Sequence, residues 1–222
     1  MKYGVPDRPD MAIYRGYGKG GGIMKEHQII TIGRELGSGG REIGIRLSEE
    51  LGIPFYDREI LEEAAKNSGF TKELFEKNDE KPTNSLLFAV AMGMNYYGGG
   101  FQKPLTLELY LAQFDAMKRF AAEGPGIFIG RCADYVLSEM PDLLNVFIHA
   151  DMKSRVARTA AKHGISEKEA EGMCLRSDKD RAAYYNYYSN HEWGDGRFYD
   201  LSINTGKFGI DRSVELIKAS IE

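Results

Sequence analysis

Residues Gly37-Ser-Gly-Gly-Arg41 carry the clearest chemical signal in this chain: closely spaced glycines leading into a helix make a cradle for an anion. Gly37, Gly39 and Gly40 let the backbone fold into a nest of N–H groups, with Ser38 among them. The N-terminus of the following helix adds positive potential. A β-branched run, Ile29 to Ile32, precedes the turn, and Ile43, Leu47 and Leu51 follow it at helical spacing. Strand, glycine turn and helix in that order hold phosphate groups. Set against G-x-x-x-x-G-K-[ST], however, the segment is degenerate. Arg34 stands at the first glycine, Gly40 replaces the lysine, and Arg41 replaces the hydroxyl residue that binds magnesium. Guanidinium forks also grip phosphate and keep their charge near neutral pH. Arg41 is therefore the expected stand-in for the lysine, the alternative being a solvated first-turn arginine. Arg34 reads either as a second phosphate contact or as a surface residue.

Other arginines stand where the pattern predicts that strands end. Arg131 follows the apolar run Ile127-Phe128-Ile129 and a glycine. Arg155 and Arg158 lie three apart on one helical face, and Arg176 and Arg181 belong to the next predicted helix. They read either as a converging arginine lid or as a solvated face, with Asp178 and Asp180 holding the arginines in orientation. The run Tyr184-Tyr-Asn-Tyr-Tyr188 places Tyr184 and Tyr188 on one face, in a core or an interface. Metal ligands are unknown: Ser38 is the nearest hydroxyl, and Asp57 or Glu35 could act through water. The four histidines have neither ligand nor triad spacing, and no G-x-S-x-G pattern is present.

These residues need a scaffold, and the chain alternates strand and helix signals to supply one. Strands are expected at 28–33, 53–56, 126–130, 143–149 and 199–204. Helices are expected at 40–51, 57–67, 71–77, 104–122, 132–139, 151–163, 166–188 and 211–221. Ser166-Glu-Lys-Glu169 is a capping box, and Asp151 and Asp211 occupy N-cap positions. The strands are apolar throughout, which implies a parallel sheet covered by helices on both faces: an α/β domain of three layers. Residues 1–24 are glycine-rich and read as a flexible leader before a single domain, 25–222. Residues 78–103 and 189–198 break the alternation and are long enough to be lids or clamps. Helix 104–122, with Leu107, Leu111, Phe114, Met117 and Ala121 along one face, reads as core or as the surface of a homodimer.

The 222 residues can bury a sizeable core, and a net charge of −4 argues against a nucleic-acid partner. Two cysteines form no disulfide framework, and no apolar run reaches the roughly 18 residues that span a bilayer. No membrane association is expected, and the cytoplasm is the expected compartment.

Taken together, four stretches resemble the cytidylate kinase family of nucleoside monophosphate kinases, specifically its divergent cytidylate kinase-like branch. They are Gly33–Gly44 with Leu51–Asp57, Phe128–Leu137, Asn145–Asp151 with Arg155 and Arg158, and Arg176–Arg181 through Tyr199–Gly206. The resemblance implies a five-stranded parallel sheet with the phosphate loop after the first strand, a lid region at 151–198 and an acceptor-side insertion at 78–103. It implies transfer of the γ-phosphoryl group of ATP, with Mg2+, to a nucleoside monophosphate. It also implies that Arg131 grips the acceptor's phosphate, and that Arg41, Arg155, Arg158, Arg176 and Arg181 serve the transfer. The family's aspartate after the strand-end arginine is Cys132 here, which leaves pyrimidine specificity open. Asp134 either takes that part or faces solvent. The degenerate loop admits a second reading, a nucleotide-binding sensor or interaction protein with weak or no catalysis.

Overall fold

The computed structural model describes residues 28–80 and 105–221; the expected leader and most of the expected insertion lie outside them. Five strands, β1 (Ile29–Arg34), β2 (Phe55–Tyr56), β3 (Gly126–Ile129), β4 (Leu143–His149) and β5 (Leu201–Asn204), form one sheet in the order β2-β3-β1-β4-β5. All four pairings are parallel, with Ile29 opposite Gly126 on one side and Leu143 on the other. Among the described residues seven α-helices lie between the strands, α1 (Gly40–Leu51), α2 (Arg58–Ser68), α3 (Lys72–Asn78), α4 (Leu105–Glu123), α5 (Ala133–Val136), α6 (Met152–His163) and α7 (Glu167–Ser189), and α8 (Thr205–Lys218) follows the last.

Strand side chains alternate between the two faces, so each strand feeds two cores. Ile30, Ile32, Ile127 and Ile129 pack with Ile43 and Leu47 of α1 and Val214 and Ile217 of α8. Ile29 and Phe128 point the other way, against Ile60 and Leu61 of α2, Phe75 of α3 and Met117 of α4. The result is the three-layer α/β/α arrangement that the apolar strands imply. A smaller aromatic cluster joins α4 to α7, where Tyr110 stacks on Tyr188 with ring centroids 3.9 Å apart. Tyr184 and Tyr188 thus share one face as their spacing requires, and they are core.

The expected caps form where side-chain chemistry favours them. Asp151 accepts from Ser154 N–H at the head of α6, and Ser166 and Glu169 close a complete capping box on α7. The last helix differs from expectation. Asn204, not Asp211, caps it, and α8 begins directly after β5. Gly209, at φ 71° and ψ 177°, breaks its helical course, so Asp211 falls in the first turn after the break. Among the described residues no helix is long and apolar enough to cross a membrane.

Candidate active site

The carboxyl ends of parallel strands are where α/β sheets bind ligands, and this edge gathers most of the arginines singled out above. Leaving β1, the chain turns through Gly37 and Gly39 at φ 77° and 89°, conformations that a side chain would strain. A Cβ on Gly37 would lie 2.5 Å from Arg155 O and 2.6 Å from Thr159 Oγ1. A Cβ on Gly39 would overlap the Arg158 guanidinium. The loop is therefore pressed onto α6, and Arg158 Nη1 donates to Gly37 O at 3.3 Å.

Neutral hydrogen bonds brace the loop from within. Ser38 is fully buried, and its hydroxyl donates to Glu35 O at 2.8 Å. Thr205, at the start of α8, donates to Ser38 O at 2.6 Å. Leu36 N–H donates to Asp178 on α7, whose other carboxylate oxygen takes Arg155 Nη1 at 2.6 Å. Glu35 accepts from Ala150 N–H and pairs with the same guanidinium at 2.9 Å. Glu35 and Ser38, considered above for metal, are thus structural members of the loop. Arg155 is buried between these two carboxylates, and its Nε has no partner among the described residues.

A second cluster lies beside the first, at the end of β3. Gly130, Arg131 and Cys132 all have positive φ, at 65°, 54° and 58°. For the two that carry side chains this costs about 1–2 kcal/mol each, a strain typical of functional sites. Arg131 is 3% exposed and holds Asp79 with two hydrogen bonds, Nε to Oδ1 at 2.8 Å and Nη2 to Oδ2 at 2.7 Å. Its Nη1 reaches Asp57 Oδ1 at 3.0 Å and Ile129 O at 3.2 Å. Asp57 also takes Arg41 Nε at 2.8 Å, so Arg41, half-exposed and lying over the Phe55 ring, joins the same network. Burial alone would raise the Asp57 carboxyl, but the guanidinium groups of Arg131 and Arg41 outweigh it and hold it below its ordinary value.

Glu80 ties this cluster to α7. One carboxylate oxygen accepts from Arg34 Nη1 at 2.6 Å and from Arg131 N–H at 3.0 Å, and the other accepts from Arg181 Nε at 3.1 Å. Burial opposes its charge, yet Arg34 and Arg181 hold the carboxyl well below the usual carboxylate range. Arg34, Glu80, Arg131, Asp134 and Arg181 line one cavity of about 20 Å³, with Tyr184 completing its wall. Asp134 is turned inward, accepts from Tyr185 Oη, and is pushed above its ordinary value by burial. Cys132, in the neighbouring left-handed position, is buried, and burial pushes its thiol up.

A profile of the cytidylate kinase-like family matches residues 29–207. The chain belongs to that family. Cytidylate kinases from Methanopyrus kandleri and Pyrococcus horikoshii are 27% and 26% identical to it, over 87% and 90% of this chain and 93% and 91% of theirs. A crystal structure of an uncharacterized protein from Eubacterium ventriosum has a TM-score of 0.65 at 28% identity, covering 87% of this chain and 98% of that one. A shikimate kinase from Bacteroides thetaiotaomicron, 15% identical with a TM-score of 0.51 over 87% of this chain and 98% of its own, shares the fold alone.

In this cytidylate kinase-like chain the structure unites Gly37, Ser38, Gly39 and Gly40 with Arg155 and Arg158. It unites Arg131, Arg181 and Asp134 around the cavity and reaches Arg41 through Asp57. Arg176 stands apart, exposed and lying back along its own helix over Gly172. Sequence reasoning missed Asp79, Glu80 and Thr205. The adjacent acidic pair next to a predicted helix end was the available signal for the first two, and a threonine after a strand end for the third.

Proposed function

We propose that this chain is a nucleotide kinase-like phosphotransferase that moves the γ-phosphoryl group of ATP onto a nucleoside monophosphate or a similar small acceptor. One observation carries the reading: Arg34, Arg41, Arg131, Arg155, Arg158 and Arg181 converge on one edge of the sheet around a glycine loop. Phosphoryl transfer needs alignment and charge neutralisation more than covalent help, and guanidinium groups supply both. Relatives named cytidylate kinase, matched along nearly their whole length, support the same class.

The donor set fits the phosphates of ATP. The loop backbone and the start of α1 face the donor side, with Arg158 against the loop and Arg41 at the helix head. Arg155 acts through Glu35 and Asp178, keeping loop and α7 in register, and is a positioning residue in this state. Arg131 and Arg181 serve the acceptor's phosphate. Magnesium, when bound, neutralises phosphate charge. The loop offers it no direct ligand, because Ser38 Oγ is buried, so phosphate oxygens and water would hold it, with Asp57 as the carboxylate at hand.

The second reading, a nucleotide-binding sensor, draws on the inward-turned Ser38, the pairing of Arg41 with Asp57 and the small volume of the cavity. A panel of nucleoside monophosphates with Mg-ATP separates the two. Transfer to at least one acceptor, abolished by Arg131→Ala and strongly reduced by Arg158→Ala, is the expected result. Tight ATP binding with no transfer to any member of the panel overturns the kinase in favour of the sensor.

A further inference from the structure

Glu80 sits among donors that suit a phosphate better than a single carboxylate. Three groups from three parts of the chain aim at it: the Arg34 guanidinium at the end of β1, the Arg131 backbone N–H at the left-handed turn after β3, and Arg181 Nε on α7. Gly130 is what lets them meet, since a Cβ there would overlap both Arg34 Nη1 and Glu80 Oε1. Glu80 itself has φ 48°, a conformation unfavourable for a side-chain-bearing residue. Its side chain is 12% exposed. The adjoining Asp79 occupies the forked face of Arg131 in the bidentate manner of a phosphate. Around Arg34, Arg41, Arg131 and Arg181, four guanidinium groups meet the three carboxylates of Asp57, Asp79 and Glu80, and Asp134 lines the same cavity.

The cavity beside Glu80, about 20 Å³, holds roughly one water molecule and no phosphate group. Tyr184, which lines it, is 5% exposed and has a hydroxyl without a partner among the described residues. An anion can therefore reach these donors only by displacing the carboxylate that now holds them. Arg181 Nη1 also donates to Arg34 O at 3.1 Å, so the same contact draws α7 down onto the end of β1.

We infer that Glu80 is a built-in competitor that fills an anion site formed by Arg34, Arg181 and the Arg131 N–H, and that the site's ligand, a phosphate monoester, binds by expelling it. This deepens the kinase reading and rests on it for the identity of the ligand as acceptor. The displaced carboxylate makes the closed, ligand-free arrangement self-neutralising. It also sets a threshold that weakly charged acceptors fail to cross.

The test measures calorimetric binding of inorganic phosphate to the full chain and to Glu80→Gln, with nucleoside monophosphate transfer assayed in parallel. Removing the competitor raises the fraction of molecules with an open site, so Glu80→Gln binds phosphate at least about tenfold tighter than the native chain. Adding Arg181→Ala to that variant abolishes the gain, which locates the ion at this site. Glu80→Asp, whose carboxylate is withdrawn by one methylene, gives a smaller gain and serves if Glu80→Gln does not fold. Unchanged or weaker phosphate binding in the folded variants overturns the competitor and makes Glu80 a fixed brace, whether or not transfer occurs. Tighter phosphate binding without transfer to any acceptor upholds the competitor and removes the kinase reading instead.

Discussion

The loop after β1 and the turn after β3 lie side by side at one edge of the sheet, yet they are held by different forces. Around Gly37–Gly40 the restraints are mainly steric and neutral, from glycine conformations, the Ser38 and Thr205 hydroxyls and close packing on α6, with Arg158 on Gly37 O and the Arg155 pairs to Glu35 and Asp178 bracing the flanking residues. Around Arg131 they are ionic, with guanidinium groups set against Asp57, Asp79 and Glu80. A shape made by packing is present before any ligand arrives and costs nothing to assemble on binding. A shape made by ion pairs can exchange one anion for another. Under the proposed function the rigid cradle would serve the donor and the exchangeable charges the acceptor.

Arg131→Ala challenges the ionic half most severely. It leaves the half-buried Asp79 without its forked partner and Asp57 with Arg41 alone, and about 3 kcal/mol of stability is expected to go, read by denaturant unfolding. Arg131→Lys should recover only part of this, because an ammonium lacks the fork that Asp79 uses. The steric half is broken by Gly37→Ala, where a Cβ meets Arg155 O and Thr159 in a left-handed conformation. A loss of about 2–4 kcal/mol is expected, together with ATP binding, but with little dependence on salt.

Acid tests the ionic half. The Glu80 and Asp57 carboxyls are held below their unfolded values of 4.5 and 3.8. Their contribution is therefore fully present above those values and is lost as pH falls through the folded ones. Unfolding curves from about pH 5 to pH 2 should show a steep acid limb that Glu80→Gln flattens and Gly37→Ala leaves unchanged. Thr205→Val removes one buried hydrogen bond to Ser38 O and should cost about 1–2 kcal/mol. Arg41→Ala, with a guanidinium half in solvent, should cost at most about 1 kcal/mol of stability. A loss of transfer rate far beyond that figure would mark Arg41 as a phosphate contact, and an unchanged rate would restrict it to pairing with Asp57.

Much of the scaffold was legible because its causes are local. The runs at 29–32, 127–129 and 146–148 become buried parallel strands, and α1 spans the expected residues 40–51. The capping box at Ser166 depends on residues three apart and forms as written. The last helix was expected from Asp211, and the segment after the break at Gly209 does begin there; what was not expected is the turn before the break, which Asn204 caps. The arginines were visible as residue types, but their partners were not. Arg131 looked available to an acceptor, and only the fold shows it already gripped by Asp79.

Composition and periodicity by themselves determined the layered α/β class, the order of elements and the glycine turn that opens α1. The strand order β2-β3-β1-β4-β5, and with it the meeting of charges, was decided by tertiary packing. Glu80 finds Arg34 across 46 positions and Arg181 across 101. A side chain's charge is written in its residue, but the strength of an ion pair depends on distance and on excluded water. Both of those exist only once the strand ends have been brought together.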